Sequence, residues 1–126
     1  MIRSNMITLK YDMRLLSKSN EKIQNRMGRY FLSKKFKDFD AAVKLLTRKQ
    51  YKGKLIKHNI GMSITALYTN KIHPDAANLS KSICDSLQGE VYANDRQIKE
   101  IYIKVFEGEA KDAFIVEIDD KLMFAE

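Results

Sequence analysis

Apolar residues recur along the chain with two different periods, and the switches between them mark out the elements. "MITLKYD" at 6–12 alternates apolar and polar positions and predicts a strand. The following stretch, "MRLLSKSNEKIQNRMGRYFLS", has no clean period and carries Arg14, Lys18, Lys22, Arg26 and Arg29, with Gly28 as a turn signal. It reads as a long basic loop that is ordered in part only on binding, a kind of segment commonly functional in small domains. "KKFKDFDAAVKLLTRKQ" at 34–50 places Phe36, Phe39, Val43 and Leu46 at helical spacing, with Ser33 as N-cap. Gly53 marks a break, and "LIKHNIGMSITALYT" at 55–69 is rich in β-branched residues and predicts a strand with a bulge at Gly61.

In "HPDAANLSKSICDSLQG", Pro74 suits a helix start and Asp75 a cap, so a helix is expected to run to about Leu87 and stop near Gly89. "YAND" is a turn with some helical character. "RQIKEIYIKVFE" at 96–107 alternates with a one-residue slip among Ile98, Ile101, Ile103 and Val105, and "KDAFIVEID" at 111–119 is a further strand. The "GEA" between them predicts a hairpin. The sum is an α+β single domain spanning residues 1–126: a mostly antiparallel sheet of about four strands with two main helices on one face.

A length of 126 residues suits one core, and 44% hydrophobic content excludes disorder across the chain. No run approaches the roughly 18 apolar residues of a membrane span. "MIRSNMITLKYD" has no long apolar stretch, so no secretory signal is expected. The single cysteine, Cys84, excludes an internal disulfide and fits a reducing, cytoplasmic setting.

The net charge of +7 is divided unevenly. Residues 1–57 hold 16 Lys+Arg against 4 Asp+Glu, giving +12, while residues 58–126 hold 7 against 12, giving −5. A basic half joined to an acidic half suggests a grip on a polyanion beside a site built from carboxylates, although a soluble lysine-rich surface has the same composition.

On the expected helix, with Asn78 set at zero, Lys81 and Asp85 fall within about 60° on one side and Asp75 about 60° on the other. Leu79, Ile83 and Leu87 form the adjacent apolar stripe. Asp95 follows the next turn, where a return connection would bring it to the same surface. The plainer alternative is a solvated face on which Asp75 caps and Lys81 pairs with Asp85, an i,i+4 contact worth about 0.2–0.5 kcal/mol.

"PDAANLSKSICDSLQGEVYANDRQIKEI" resembles the signature of RusA-type Holliday junction resolvases, small phage-derived endodeoxyribonucleases with the pattern D-x-D-N-x-x-K, a helix Asp, then an acidic turn and Q-[IV] opening a strand. Asp75, Asn78, Leu79, Lys81, Asp85, Asp95, Gln97 and Ile98 match that pattern. "SKSNEK" followed by "GRYFLS" and a helix also resembles the family's S-x-N…GR…S stretch, so the resemblance covers most of the chain. One departure matters: Ala77 stands where the family has a second acid. The acidic turn is reduced as well, with Asn94 before Asp95.

The resemblance implies a homodimer that binds a branched, four-way DNA junction and cuts it in paired fashion by phosphodiester hydrolysis. It implies Mg²⁺ as cofactor, held by Asp75 and Asp95, with the third acid missing at position 77. Lys81 would offset charge on the phosphate or orient water, and Asn78 and Asp85 would steady the ligands. Arg14, Lys18, Lys22, Arg26, Arg29, Lys34, Lys35 and Lys37 would grip phosphates without reading sequence. With Ala77 in place, the expectation is an inactive or impaired endonuclease. The alternatives are a non-catalytic module that binds branched DNA, and an RNA- or protein-binding domain with no metal role.

Several residues carry plainer expectations. Tyr30 and Phe31 are candidates for a wedge at the junction's open centre, but burial in the core is the expectation for large aromatics. His73 reads as a solvated loop residue, His58 as a strand-edge residue, Cys84 as a small packing residue, and the six methionines as core filling.

Overall fold

The computed structural model describes residues 6–119. Its main sheet holds β1 (Met6–Tyr11), β4 (Ile60–Leu67), β5 (Ile98–Phe106) and β6 (Ala113–Asp119), in the order β1-β6-β4-β5. β6 pairs antiparallel with both β1 and β4, whereas β4 and β5 are parallel. Two helices, α1 (Lys34–Gln50) and α2 (Ala76–Leu87), complete the α+β fold. α2 is the crossover between β4 and β5, as a parallel pair requires.

Strand alternation sets the core. Leu9 and Tyr11 of β1, Ile60, Met62, Ile64 and Ala66 of β4, and Phe114, Val116 and Ile118 of β6 are buried on the helix-bearing face. The opposite face carries exposed Thr8, Lys10 and Lys104 and half-buried Ser63, Thr65, Tyr102, Ile115 and Glu117. α1 buries Phe36, Phe39, Val43 and Thr47, and Thr47 bonds the Tyr11 hydroxyl at 2.6 Å. The Ser33 hydroxyl caps α1 by accepting from the Phe36 N–H at 3.1 Å. A register shift lies at Ile60/Gly61, where Lys99 is the extra residue of β5.

Three expectations are corrected. The hairpin between the last two strands does not form, because β5 lies at the sheet edge beside β4 while β6 enters between β4 and β1. Burial explains this choice: Phe114, Val116 and Ile118 are fully covered and need neighbours on both sides, while Ile101 and Phe106 of β5 remain 43% and 45% exposed. The basic stretch is not structureless, since it forms a short turn at Ser19–Glu21 and a small hairpin of β2 (Lys22–Gln24) and β3 (Tyr30–Leu32). Gly28 closes that hairpin at φ 78°, a left-handed conformation that glycine adopts without strain. Of the methionines described, Met62 is buried, but Met6 and Met27 are exposed and do not fill the core.

Candidate active site

α2 begins at Asp75, whose side chain satisfies the helix's unpaired donors. Its Oδ1 accepts from the Asn78 N–H at 2.9 Å and its Oδ2 from the Asn78 side-chain amide at 3.4 Å. Leu79, Ser82, Ile83, Cys84, Ser86 and Leu87 bury one face. Asp75, Ala77 and Lys81 are exposed on the other, with Asn78 and Asp85 half-buried. The basic stretch lies along this face. Ser82 donates to the Leu16 carbonyl at 2.9 Å, Ser19 to Asn78 Oδ1 at 3.4 Å, and the Lys18 ammonium stands 3.8 Å from Asp85. Between them is a cleft of about 120 Å³ that includes Lys18, Lys22, Lys81 and Asp85 in its walls. Three ammonium groups against one carboxylate make it attractive to an anion such as phosphate.

Asp95 lies elsewhere. Its N–H donates to the side chain of Gln88, the C-cap of α2, at 2.8 Å, whereas Asp75 is the N-cap. The 12 residues between the caps span about 18 Å at 1.5 Å per residue. Ligands to Mg²⁺ stand about 2.1 Å from the ion, so within one chain these two carboxylates do not share one. The expected return of Asp95 to the surface of Asp75 is therefore corrected. The cause is local: the Tyr92 hydroxyl donates to the Cys84 carbonyl at 2.6 Å, and Gln97 donates to the carbonyls of Ile56 and His58. These bonds tie the turn to the far end of the helix. Among the described residues no group of three or more His, Cys, Asp or Glu side chains is placed to hold a metal. Ala77 adds only a methyl group, so one chain by itself does not fit a multi-carboxylate Mg²⁺ site.

The expected phosphate-gripping residues divide into two sets. Lys22, Arg26, Arg29, Lys35 and Lys37 are exposed and form no ion pair with other described residues. Arg14 pairs with Asp112 at 3.4 Å, Lys18 with Asp85 at 3.8 Å and Lys34 with Asp38 at 2.7 Å. Tyr30 and Phe31 are 67% and 45% exposed, against the expectation of core packing. They belong to a two-stranded sheet separate from the main one, of which only Leu32 is half-buried and packs against the core. Met27, 82% exposed, lies in the turn of the same hairpin.

A family model described as "Endodeoxyribonuclease RusA" matches residues 12–119, taking in the hairpin, both helices and Asp95. The chain belongs to the RusA family. A crossover junction endodeoxyribonuclease RusA from Aquifex aeolicus (strain VF5) is 30% identical over 103 residues, which cover 80% of this chain and 81% of that protein.

This RusA chain also has a bracket at the start of α2 that the pattern of residues did not foretell. The His73 ring stacks on Tyr68 at 4.7 Å, and the Arg14 guanidinium lies 4.7 Å from the centre of the same tyrosine ring. His73 Nδ1 meets the Pro74 carbonyl at 2.9 Å and Nε2 meets Glu107 at 2.5 Å. The Pro74 carbonyl, and then Glu107, raise the His73 pKa above the ordinary value by favouring the doubly protonated ring. His73 is thus not a solvated loop residue, because its side chain is only 16% exposed. Asp112 accepts from the Thr69 N–H at 2.9 Å, and this bond, followed by Arg14, holds its carboxyl below the usual range. Burial pushes the Cys84 thiol up to about 11, with Asp95 and Asp85 adding to the effect, which suits a packing residue rather than a nucleophile. Residues 14, 68, 73, 107 and 112 are too scattered in sequence for spacing to reveal this bracket. No helix among the described residues is long and apolar enough to cross a membrane.

Proposed function

We propose that this chain is a resolvase of four-way DNA junctions, Mg²⁺-dependent and homodimeric in its working form, and impaired as written because Ala77 occupies the place of an acid. The observation that carries this reading is the α2 face on which Asp75, Asn78 and Lys81 stand together beside the Lys18–Lys22 cleft. A phosphodiester is anionic and repels hydroxide, so hydrolysis calls for a positive environment at the phosphate. Lys81 and the cleft lysines supply that environment, and Asn78 orients the Asp75 carboxylate. A divalent ion, when bound, would neutralise the phosphate and activate a water.

The separation of Asp75 from Asp95 gives the dimer a chemical purpose. A two-fold arrangement that brings the partner's Asp95 beside Asp75 would give each site two carboxylates. The same symmetry matches a junction that is cut in two opposed strands. Exposed Tyr30 and Phe31, flanked by Arg26 and Arg29, suit the open centre of the junction, where unpaired bases offer their faces for stacking.

The direct test is Ala77→Asp. The variant is expected to cut four-way junctions with Mg²⁺ and to leave linear duplex intact. A folded Ala77→Asp protein that binds junctions and never cuts them refutes the reading. The second reading, a non-catalytic module for branched DNA, is favoured by Ala77 and Asn94. It expects junction binding that survives EDTA and no gain on restoring the acid.

A further inference from the structure

A second cleft, of about 210 Å³, opens on the other side of the Ser19–Glu21 turn, between the basic stretch, α1 and the start of α2. Its walls include Arg14, Ser17, Asn20, Lys35 and His73. Ser17 is the informative residue. It is 1% exposed, and its hydroxyl has no hydrogen-bond partner among the described residues. A buried hydroxyl without a partner is destabilising, and such groups in native proteins call for an explanation. Arg14 commits two of its five N–H groups, one to Asp112 and one to the Ile72 carbonyl, which leaves others to donate. Lys35 is exposed and forms no ion pair with the described residues, and Asn20 adds an exposed side-chain amide. Both ring nitrogens of His73 are engaged, so that ring is a wall rather than a donor. Glu21 is the carboxylate lining the cleft, and the Ser33 hydroxyl donates to its Oε1 at 3.0 Å.

We infer that this cleft binds one backbone phosphate of the DNA, with Ser17 and Asn20 as neutral donors and Arg14 and Lys35 as the charges. The inference rests on the junction-binding reading and extends it to a second phosphate, separate from the one drawn to the Lys81 cleft. Neutral donor residues and two cations in one wall suit a tetrahedral oxyanion. The Ser17 hydroxyl would gain in the complex a partner that it lacks among the described residues.

The test uses the full chain, a four-way DNA junction and, separately, inorganic phosphate. Ser17→Ala is expected to weaken junction binding by about tenfold, the usual loss for a hydrogen bond to a charged group. It should leave the salt dependence unchanged, because a neutral donor releases no counterion, and its Tm should not fall. Lys35→Gln should reduce the slope of log affinity against log salt by about 0.9. Backbone amide NMR should shift at Ser17 and Asn20 on adding junction. Junction affinity within about twofold of the original in a folded Ser17→Ala protein overturns the inference. So does an outcome in which inorganic phosphate moves these amides but the junction does not, which marks a site for a free anion only. Failure of the parent chain to bind any junction overturns the underlying reading instead, and is told apart because it needs no variant.

Discussion

Asp112 shows how one side chain holds two distant segments in place. It receives the Thr69 N–H at the end of β4 and faces Arg14 at the start of the basic stretch. Its carboxyl is held below the usual range, so it is ionised more readily in the folded chain than in the unfolded one. A depressed carboxyl contributes stability that is present above its unfolded pKa, near 3.9, and lost as pH falls through the folded value. Asp112→Asn should therefore be less stable than the parent at neutral pH, with the gap closing below about pH 4. Chemical denaturation at several pH values checks this, and a gap that persists at pH 2 would contradict it. Ala77 belongs to the same scale. The resemblance alone singles out its position, because an alanine in the first turn of a helix is otherwise unremarkable.

At the scale of elements, the Ser33 cap joins α1 to the basic stretch. Its hydroxyl accepts from Phe36 and donates to Glu21, while its N–H donates to the Glu21 carbonyl at 2.8 Å. Ser33→Ala should cost about 1 kcal/mol in urea unfolding. It should also loosen the Ser19–Glu21 turn. The β2–β3 hairpin predicts the reverse. Tyr30→Ala and Phe31→Ala should leave stability within about 0.5 kcal/mol, because exposed side chains support little of the core. Each should weaken junction binding by about tenfold, the low end of the loss of one base-stacking platform. Anisotropy titration measures this, and unchanged binding by both variants would remove the wedge.

These elements were unequally legible in the sequence. α1 and α2 were plain because Phe36, Phe39 and Val43, and likewise Leu79, Ile83 and Leu87, keep a helical period between capping residues. The strands were plain for the same reason at period two. Their order was not, because "GEA" satisfies a hairpin locally, whereas the choice of β4 as neighbour depends on which strand must be buried on both sides. The hairpin within the basic stretch was hidden because Lys22–Gln24 and Tyr30–Leu32 are too short to show a period. Of the candidate site, the α2 face was legible from spacing, but the place of Asp95 depends on tertiary bonds from Tyr92 and Gln97 that no local pattern encodes.

At the scale of the whole molecule, a carboxylate lies at each end of α2, and in the proposed function a two-fold dimer would bring the two together. In the Ala77→Asp background, Asp75→Asn and Asp95→Asn proteins can be prepared singly and then mixed so that subunits exchange. If each site draws Asp75 from one protomer and Asp95 from its partner, each single variant is inactive. The mixed dimer then has one intact site and one without either acid, and with Mg²⁺ it should nick one junction strand without resolving it. A mixture as inactive as its components, beside a fully active Ala77→Asp parent, would contradict the shared site.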